Sequence, residues 1–145
     1  MPQRHRDTEH GFRVYKVGGP ALEDPELLVP LAAELRGVKG PVVVVHGGGR
    51  HIDRLLERLG IESRFVEGRR VTSAEVMDVV EMVLAGSVNK GLAAGLTAAG
   101  LPAVGLAGDD GGLITAAEAS SPDGDLGFVG RVAGIDPRVL ERLSD

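Results

Sequence analysis

Residues 12–19 read FRVYKVGG and residues 42–49 read VVVVHGGG. Each is a short apolar run that breaks abruptly into glycine, the first just after Lys16 and the second just after His46. FRVYKV alternates as a half-buried strand does, whereas Val42–Val45 is apolar on both faces, as a central strand of a parallel sheet is. Between them Asp24 precedes Pro25, an N-cap followed by proline at the first helical position, and Leu27, Leu28, Leu31, Ala32 and Leu35 share one face before Gly37. That spacing predicts a helix over about 25–36. Ile52, Leu55, Leu56 and Leu59 predict another, closed by Gly60. The order β-α-β-α predicts a parallel α/β sheet whose ligands sit outside the carboxyl ends of the strands, with both glycine loops opening on one edge.

Further along, IESRFVEGRRV (61–71) alternates weakly and predicts a β-hairpin or extended excursion. Thr72-Ser73-Ala74-Glu75 is a capping box. Apolar residues at 76, 79, 80, 83, 84, 88, 92 and 96 then predict one long helix to Gly100, loosened at Gly86. Pro102–Leu106 reads as a third strand leading into AGDDGG, and 113–134 as further short strands or loops. Asp136-Pro137 restarts a helix through Val139, Leu140 and Leu143.

The chain has 145 residues, the length of one ordinary domain, and 43% of them are apolar. With only one Tyr, three Phe and no Trp, the core must be built from Val, Leu, Ile and Ala. Its 22 glycines are about twice the usual ~7%, and they fall between apolar runs as turns and ligand loops do. A net charge of −5 without a basic tract gives a nucleic-acid partner no electrostatic footprint. No cysteine means no disulfide and no thiolate metal site. No apolar run approaches the ~20 residues of a membrane span, and MPQRHRDTEH has no apolar h-region. A soluble cytoplasmic protein without a membrane partner is the expectation.

A glycine-rich turn between strand and helix lets backbone N–H groups approach an anion, with the helix dipole and a nearby lysine adding positive charge. Lys16, Gly18, Gly19 and Gly47–Gly49 fit that description. They fit equally a pair of tight βα turns with a surface lysine. Neither G-x-x-x-x-G-K-[ST] nor a complete G-x-G-x-x-G is present. Arg69 and Arg70 on their own read as hairpin charges, and His46 with His51 is too little for a zinc site. Asp109-Asp110 reads as a turn or as carboxylates for Mg²⁺.

The combination is more specific than its parts. YKVGG, VVVVHGGG, EGRRVT, EMVLAGSVNKGL, AVGLAGDDGG and DLGFVGRV, in this order over residues 12–143, resemble the acetylglutamate kinases of the amino acid kinase family. The resemblance implies a parallel-sheet αβα sandwich. It also implies ATP-dependent phosphorylation of the γ-carboxylate of N-acetyl-L-glutamate in arginine biosynthesis, with Mg²⁺ and without a covalent enzyme intermediate. Lys16 matches the catalytic lysine, Gly18 and Gly19 the phosphate loop, Gly48 and Gly49 the main chain that contacts the acyl substrate, and Arg70 the arginine on its α-carboxylate. His46 then shapes its loop, since an attacking carboxylate has no proton to lose. Asn89-Lys90 is a family signature left outside the site. A homodimer through the long helix is implied as well.

Members of that family are much longer, and their second half carries the nucleotide pocket and a second catalytic lysine. Residues 1–11 are therefore expected to be a polar arm and 12–145 the acyl-amino-acid-binding lobe, truncated to the N-terminal half. Two alternatives stand: a kinase acting on carrier-protein-linked aminoadipate or glutamate, and a non-catalytic acyl-amino-acid-binding module. The full HGGG and GRRVT favour the acetylated amino acid. Arginine-inhibited relatives carry an extra N-terminal helix, whereas 11 mostly polar residues precede Phe12, so an arginine-insensitive dimer is expected.

Overall fold

A computed structural model describes residues 3–5, 11–119, 122 and 125–144, so most of the expected N-terminal arm lies outside the described residues. The chain divides into two compact units. The first comprises Met1–His51 and Val83–Gly105, the second Ile52–Met82 and Leu106–Asp145.

The first unit is a three-stranded sheet with helices on one face. Strand β2 (Arg13–Val17) pairs in parallel with β3 (Val42–His46), Arg13 opposite Val42 through Val17 opposite His46. The crossover between them holds α1 (Gly19–Glu23), a 3₁₀ turn (Pro25–Leu27) and α2 (Leu28–Arg36). Asp24 caps the turn as expected, its Oδ1 accepting from the Glu26 N–H at 3.0 Å. Alternation along β2 buries Tyr15 and Val17 on the covered face and turns Lys16 outward. There Tyr15 and Val17 pack with Leu31, Ala32 and Leu35 of α2 and with Leu92 and Leu96 of α5 (Asn89–Ala98). Each such side chain contributes about 1.5–3 kcal/mol on burial.

Two expectations need correction here. A short strand β1 (Gln3–His5), unmarked in the sequence, pairs antiparallel with β2, so β2 is central and β3 is the outer strand of the described sheet. Residues 102–106, expected to supply a further strand, form none. The reason is local competition: Thr97 Oγ1 takes the Ala103 N–H at 3.2 Å and the Lys90 ammonium takes the Gly105 carbonyl at 2.9 Å, groups that a ladder would need.

In the second unit, β4 (Phe65–Val66) and β5 (Arg69–Arg70) form a hairpin. Its two-residue turn has positive φ at both Glu67 (50°) and Gly68 (76°), the type I′ geometry whose twist suits paired strands. Thr72 bridges to Gly127, donating its N–H to Leu126 O and accepting from the Phe128 N–H. Strands β6 (Ile114–Glu118) and β7 (Gly130–Ile135) pair antiparallel with a bulge between Thr115 and Ala116. The unit ends in α6 (Arg138–Ser144). Asp136 caps α6, accepting from the Arg138 backbone N–H at 3.1 Å and from its Nε at 2.9 Å.

The long helix is present from Ala74 to Ala98. Its cap falls one residue later than the capping-box pattern implies: Ser73, not Thr72, accepts from the Val76 N–H at 3.3 Å, because the Thr72 hydroxyl is turned back to the Arg70 carbonyl. It runs as α4 (Ala74–Glu81), a π-helical stretch (Met82–Val88) and α5. Its buried apolar positions are 76, 79, 83, 88, 92 and 96. The step from 83 to 88 is one residue longer than an α-turn allows, and the π stretch supplies that residue. By length and composition this helix could cross a membrane, contrary to the reading of the apolar runs. It also carries the charged Glu75, Asp78, Glu81 and Lys90.

Local geometry makes the glycines unequal. A Cβ on Gly127 (φ 63°) would come 2.1 Å from the Thr72 carbonyl oxygen, so Gly127→Ala is expected to cost at least ~2 kcal/mol in urea unfolding. Gly86 has nothing within 4 Å of that position, and Gly86→Ala should raise stability by up to ~1 kcal/mol. The Asp136 carboxyl is lowered from 3.8 to about 2, chiefly by the Arg138 side-chain hydrogen bonds and next by its backbone N–H. A lowered carboxylate stabilises the fold above its unfolded pKa, and that contribution disappears as pH falls through its folded one. An NMR titration should find the Asp136 midpoint near 2 and return it towards 3.8 in Arg138→Ala.

Candidate functional site

Parallel pairing brings the carboxyl ends of β2 and β3 side by side, Lys16 opposite Val45 and Val17 opposite His46. Both glycine loops therefore open from one edge of the sheet, as the β-α-β-α order predicts. Gly18 is the N-cap of α1 and Gly19 its first residue, while Gly49 is the first residue of α3 (Gly49–Leu59). The Arg50 guanidinium of α3 reaches the Glu23 carboxylate of α1 at 3.4 Å, a largely exposed pair that ties the helices behind the loops. His46 Nδ1 donates to the Gly47 carbonyl at 2.8 Å, so the imidazole shapes its own loop.

The loop conformations bear on why these residues are glycines. Gly18 has φ −78°, and none of Gly19, Gly47, Gly48 or Gly49 has positive φ. Turn geometry thus does not require glycine at any of the five. At Gly48 the space is taken from within, since a Cβ there would lie 2.6 Å from Leu84 Cδ2 and 3.6 Å from Val88 Cγ2 of the π stretch. Gly48 is buried against it. At Gly19, Gly47 and Gly49 nothing stands within 4 Å of where a Cβ would be; Gly47 and Gly49 are exposed and Gly19 is half-buried. Lys16 extends from the same edge, exposed.

Arg70 belongs to the second unit. Its guanidinium is largely covered, with the side chain 12% exposed, and is held on three sides. Nη2 donates to Asp53 Oδ1 at 2.7 Å, Nη1 donates to Ser63 Oγ, and the cation lies over the Phe65 ring, 4.7 Å from its centroid. Arg69, its neighbour, is exposed. Of the two arginines, only Arg70 is built into the fold in this way.

Asn89 and Lys90 both meet Gly105. Asn89 is buried, its Oδ1 only 1.7 Å from where a Cβ on Gly105 would be, and Lys90 holds the Gly105 carbonyl. Asp110 Oδ2 accepts from the Ala107 N–H at 2.7 Å, the turn role. Among the described residues no three His, Asp or Glu side chains gather into a metal-binding group. Sequence reasoning did not single out Asp53, Ser63, Phe65 or Leu84. A signal for Phe65 existed, because a two-residue turn at Glu67-Gly68 sets Phe65 directly opposite Arg70.

Residues 11–145 match the Amino acid kinase family. The chain belongs to that family. Among its relatives, the acetylglutamate kinase of Chloroflexus aurantiacus is 45% identical over 130 residues, covering 90% of this chain and 51% of that protein. The acetylglutamate kinase of Halorhodospira halophila is 50% identical over 143 residues, 90% of this chain and 48% of that protein. The crystal structure of smu.665 from Streptococcus mutans UA159 superposes with a TM-score of 0.75 at 30% identity, covering 90% of this chain and 53% of that one. This family member spans about half the length of the curated relatives it matches.

The loop geometry separates the glycines by stability. Gly48→Ala should cost about 1 kcal/mol, because the Leu84 methyl it meets can swing aside only partly. Gly19→Ala and Gly49→Ala should stay within ~0.5 kcal/mol of the parent in the same urea titration.

Proposed function

We propose that this chain is the acyl-amino-acid-binding part of an acetylglutamate kinase, which transfers the γ-phosphoryl group of ATP to the γ-carboxylate of N-acetyl-L-glutamate. The observation that carries this reading is the pair of glycine loops on one sheet edge, bare where conformation does not demand glycine, with Lys16 exposed beside them. Identity of 45–50% to acetylglutamate kinases over 90% of the chain supports that choice of substrate.

In this reading a γ-carboxylate oxygen attacks the terminal phosphorus in line, a P–O bond forms, and the bond to the departing ADP oxygen breaks. No proton moves in that step, so no general base is required and His46 is free to serve its loop. The protein's work is positioning and neutralising charge. Backbone N–H groups of Gly18 and Gly19 meet phosphate oxygens, and the Lys16 ammonium offsets charge on the transferring group. The main chain of Gly48 and Gly49 contacts the acyl substrate. In the second unit, Arg70 takes the α-carboxylate, a charge-assisted contact worth roughly 1.5–3 kcal/mol. Mg²⁺ held by the nucleotide phosphates would offset part of their charge, and among the described residues no group of three carboxylates or histidines gathers to hold it. Further expectations of the reading are a cytoplasmic enzyme, a homodimer joined through the Ala74–Ala98 helix, and no nucleic-acid or membrane partner.

Calorimetric titration with N-acetyl-L-glutamate tests the reading. Saturable binding is expected, on the order of ten- to hundredfold weaker in Arg70→Ala. Gly49→Ala should weaken binding while leaving the unfolding midpoint near the parent value. A folded chain that ignores the free amino acid yet binds a carrier-protein-linked aminoadipate or glutamate would overturn the substrate assignment.

A further inference from the structure

Arg70 owes its place to three residues that the proposed reaction does not otherwise use. We infer that Asp53, Ser63 and Phe65 are positioning residues that hold the Arg70 guanidinium in one plane and orientation for an incoming carboxylate, an inference that rests on the proposed role of Arg70.

Asp53 and Ser63 hold different terminal nitrogens, Nη2 and Nη1, which fixes rotation within the guanidinium plane and about the Nε–Cζ bond. The Phe65 ring covers one face and limits tilting out of that plane. A guanidinium has five N–H donors, and these two bonds use two of them, so donors remain for a ligand carboxylate. A carboxylate binds an arginine best when it meets two parallel N–H bonds, and a pre-oriented fork loses less entropy on meeting it than a free one. The three residues come from separate segments: Asp53 from α3, Ser63 from the approach to the hairpin, and Phe65 from the strand opposite Arg70. Such convergence on one side chain is not a surface accident.

Charge provides the discriminating argument. Asp53 is negative, half-exposed and 2.7 Å from the group that would receive a second carboxylate, so by Coulomb's law alone it opposes that ligand. If orientation is its contribution, deleting the side chain should weaken carboxylate binding despite relieving this repulsion. Asp53→Asn keeps an oxygen acceptor and removes the charge.

The first measurement needs no ligand: ¹⁵N NMR of the arginine side chains, reading the rate of rotation about the Arg70 Nε–Cζ bond, with Arg70→Lys to assign the signals. Slow rotation is expected in the parent chain and in Asp53→Asn, and fast rotation in Asp53→Ala. Rapid rotation in the parent, or equal rates in parent and Asp53→Ala, overturns the inference. Calorimetry with N-acetyl-L-glutamate is the second arm. Roughly tenfold weaker binding is expected in Asp53→Ala, with Asp53→Asn at least as tight as the parent. Tighter binding in Asp53→Ala would instead make Asp53 a competitor and overturn the positioning role. Slow Arg70 rotation in a parent chain that binds no N-acetyl-L-glutamate would sink the substrate reading and leave the three-sided clamp upheld. Far-UV circular dichroism of each variant checks that the fold survives.

Discussion

Two parallel strands cannot be joined by a tight turn, and that constraint organises the first unit. To bring Val42 beside Arg13, the chain must leave the end of β2, cross one face of the sheet and return to the start of β3. The helix α2 that makes this return buries Leu31, Ala32 and Leu35 on Tyr15 and Val17, so the crossover and the core are the same structure. A second consequence is directional. Parallel strands finish at the same edge, and whatever follows each of them is delivered there together. The Lys16–Gly19 segment and the His46–Gly49 segment are neighbours because of strand direction, not because of any attraction between them.

Most of this was legible in the sequence because it depends on local pattern. Alternation in FRVYKV, the apolar VVVV, Asp24-Pro25 and the glycine breaks marked β2, β3, the crossover and the edge that carries the loops. The long helix was equally readable, down to its loosening near Gly86, whereas the hairpin was one of two readings of 61–71 and its turn type was not read. What escaped depends on partners outside the segment itself. Three polar residues at 3–5 show no strand pattern and pair only because β2 offers an open edge. Pro102–Leu106 has the composition of a strand, yet Thr97 and Lys90 take the backbone groups that a ladder would use.

The site divides along the same line. Lys16 and the glycines could be picked out because strand-end loops announce themselves, although the sequence alone left open whether turn geometry or space required the glycines. The negative φ at Gly18 and the lack of positive φ at the other four set turn geometry aside, and at Gly48 packing against Leu84 requires the glycine. Arg70 could not be told from Arg69 by residue type. The difference lies in what each meets: Arg69 is exposed, whereas Arg70 faces Asp53, Ser63 and Phe65. No single short stretch contains that information.

The π-helical stretch at Met82–Val88 has a meaning in angular terms. One residue on a helix advances the face by about 100°, so an extra residue within a turn resets the phase of everything after it. Without that reset an α-helical step of four from the buried Val83 would reach Ser87; with it the next buried apolar residue is Val88. The helix is thus two amphipathic segments written in different phases and spliced by a one-residue insertion. The splice lies where Leu84 and Val88 support Gly48, so the length of this stretch and the shape of the glycine loop are set together.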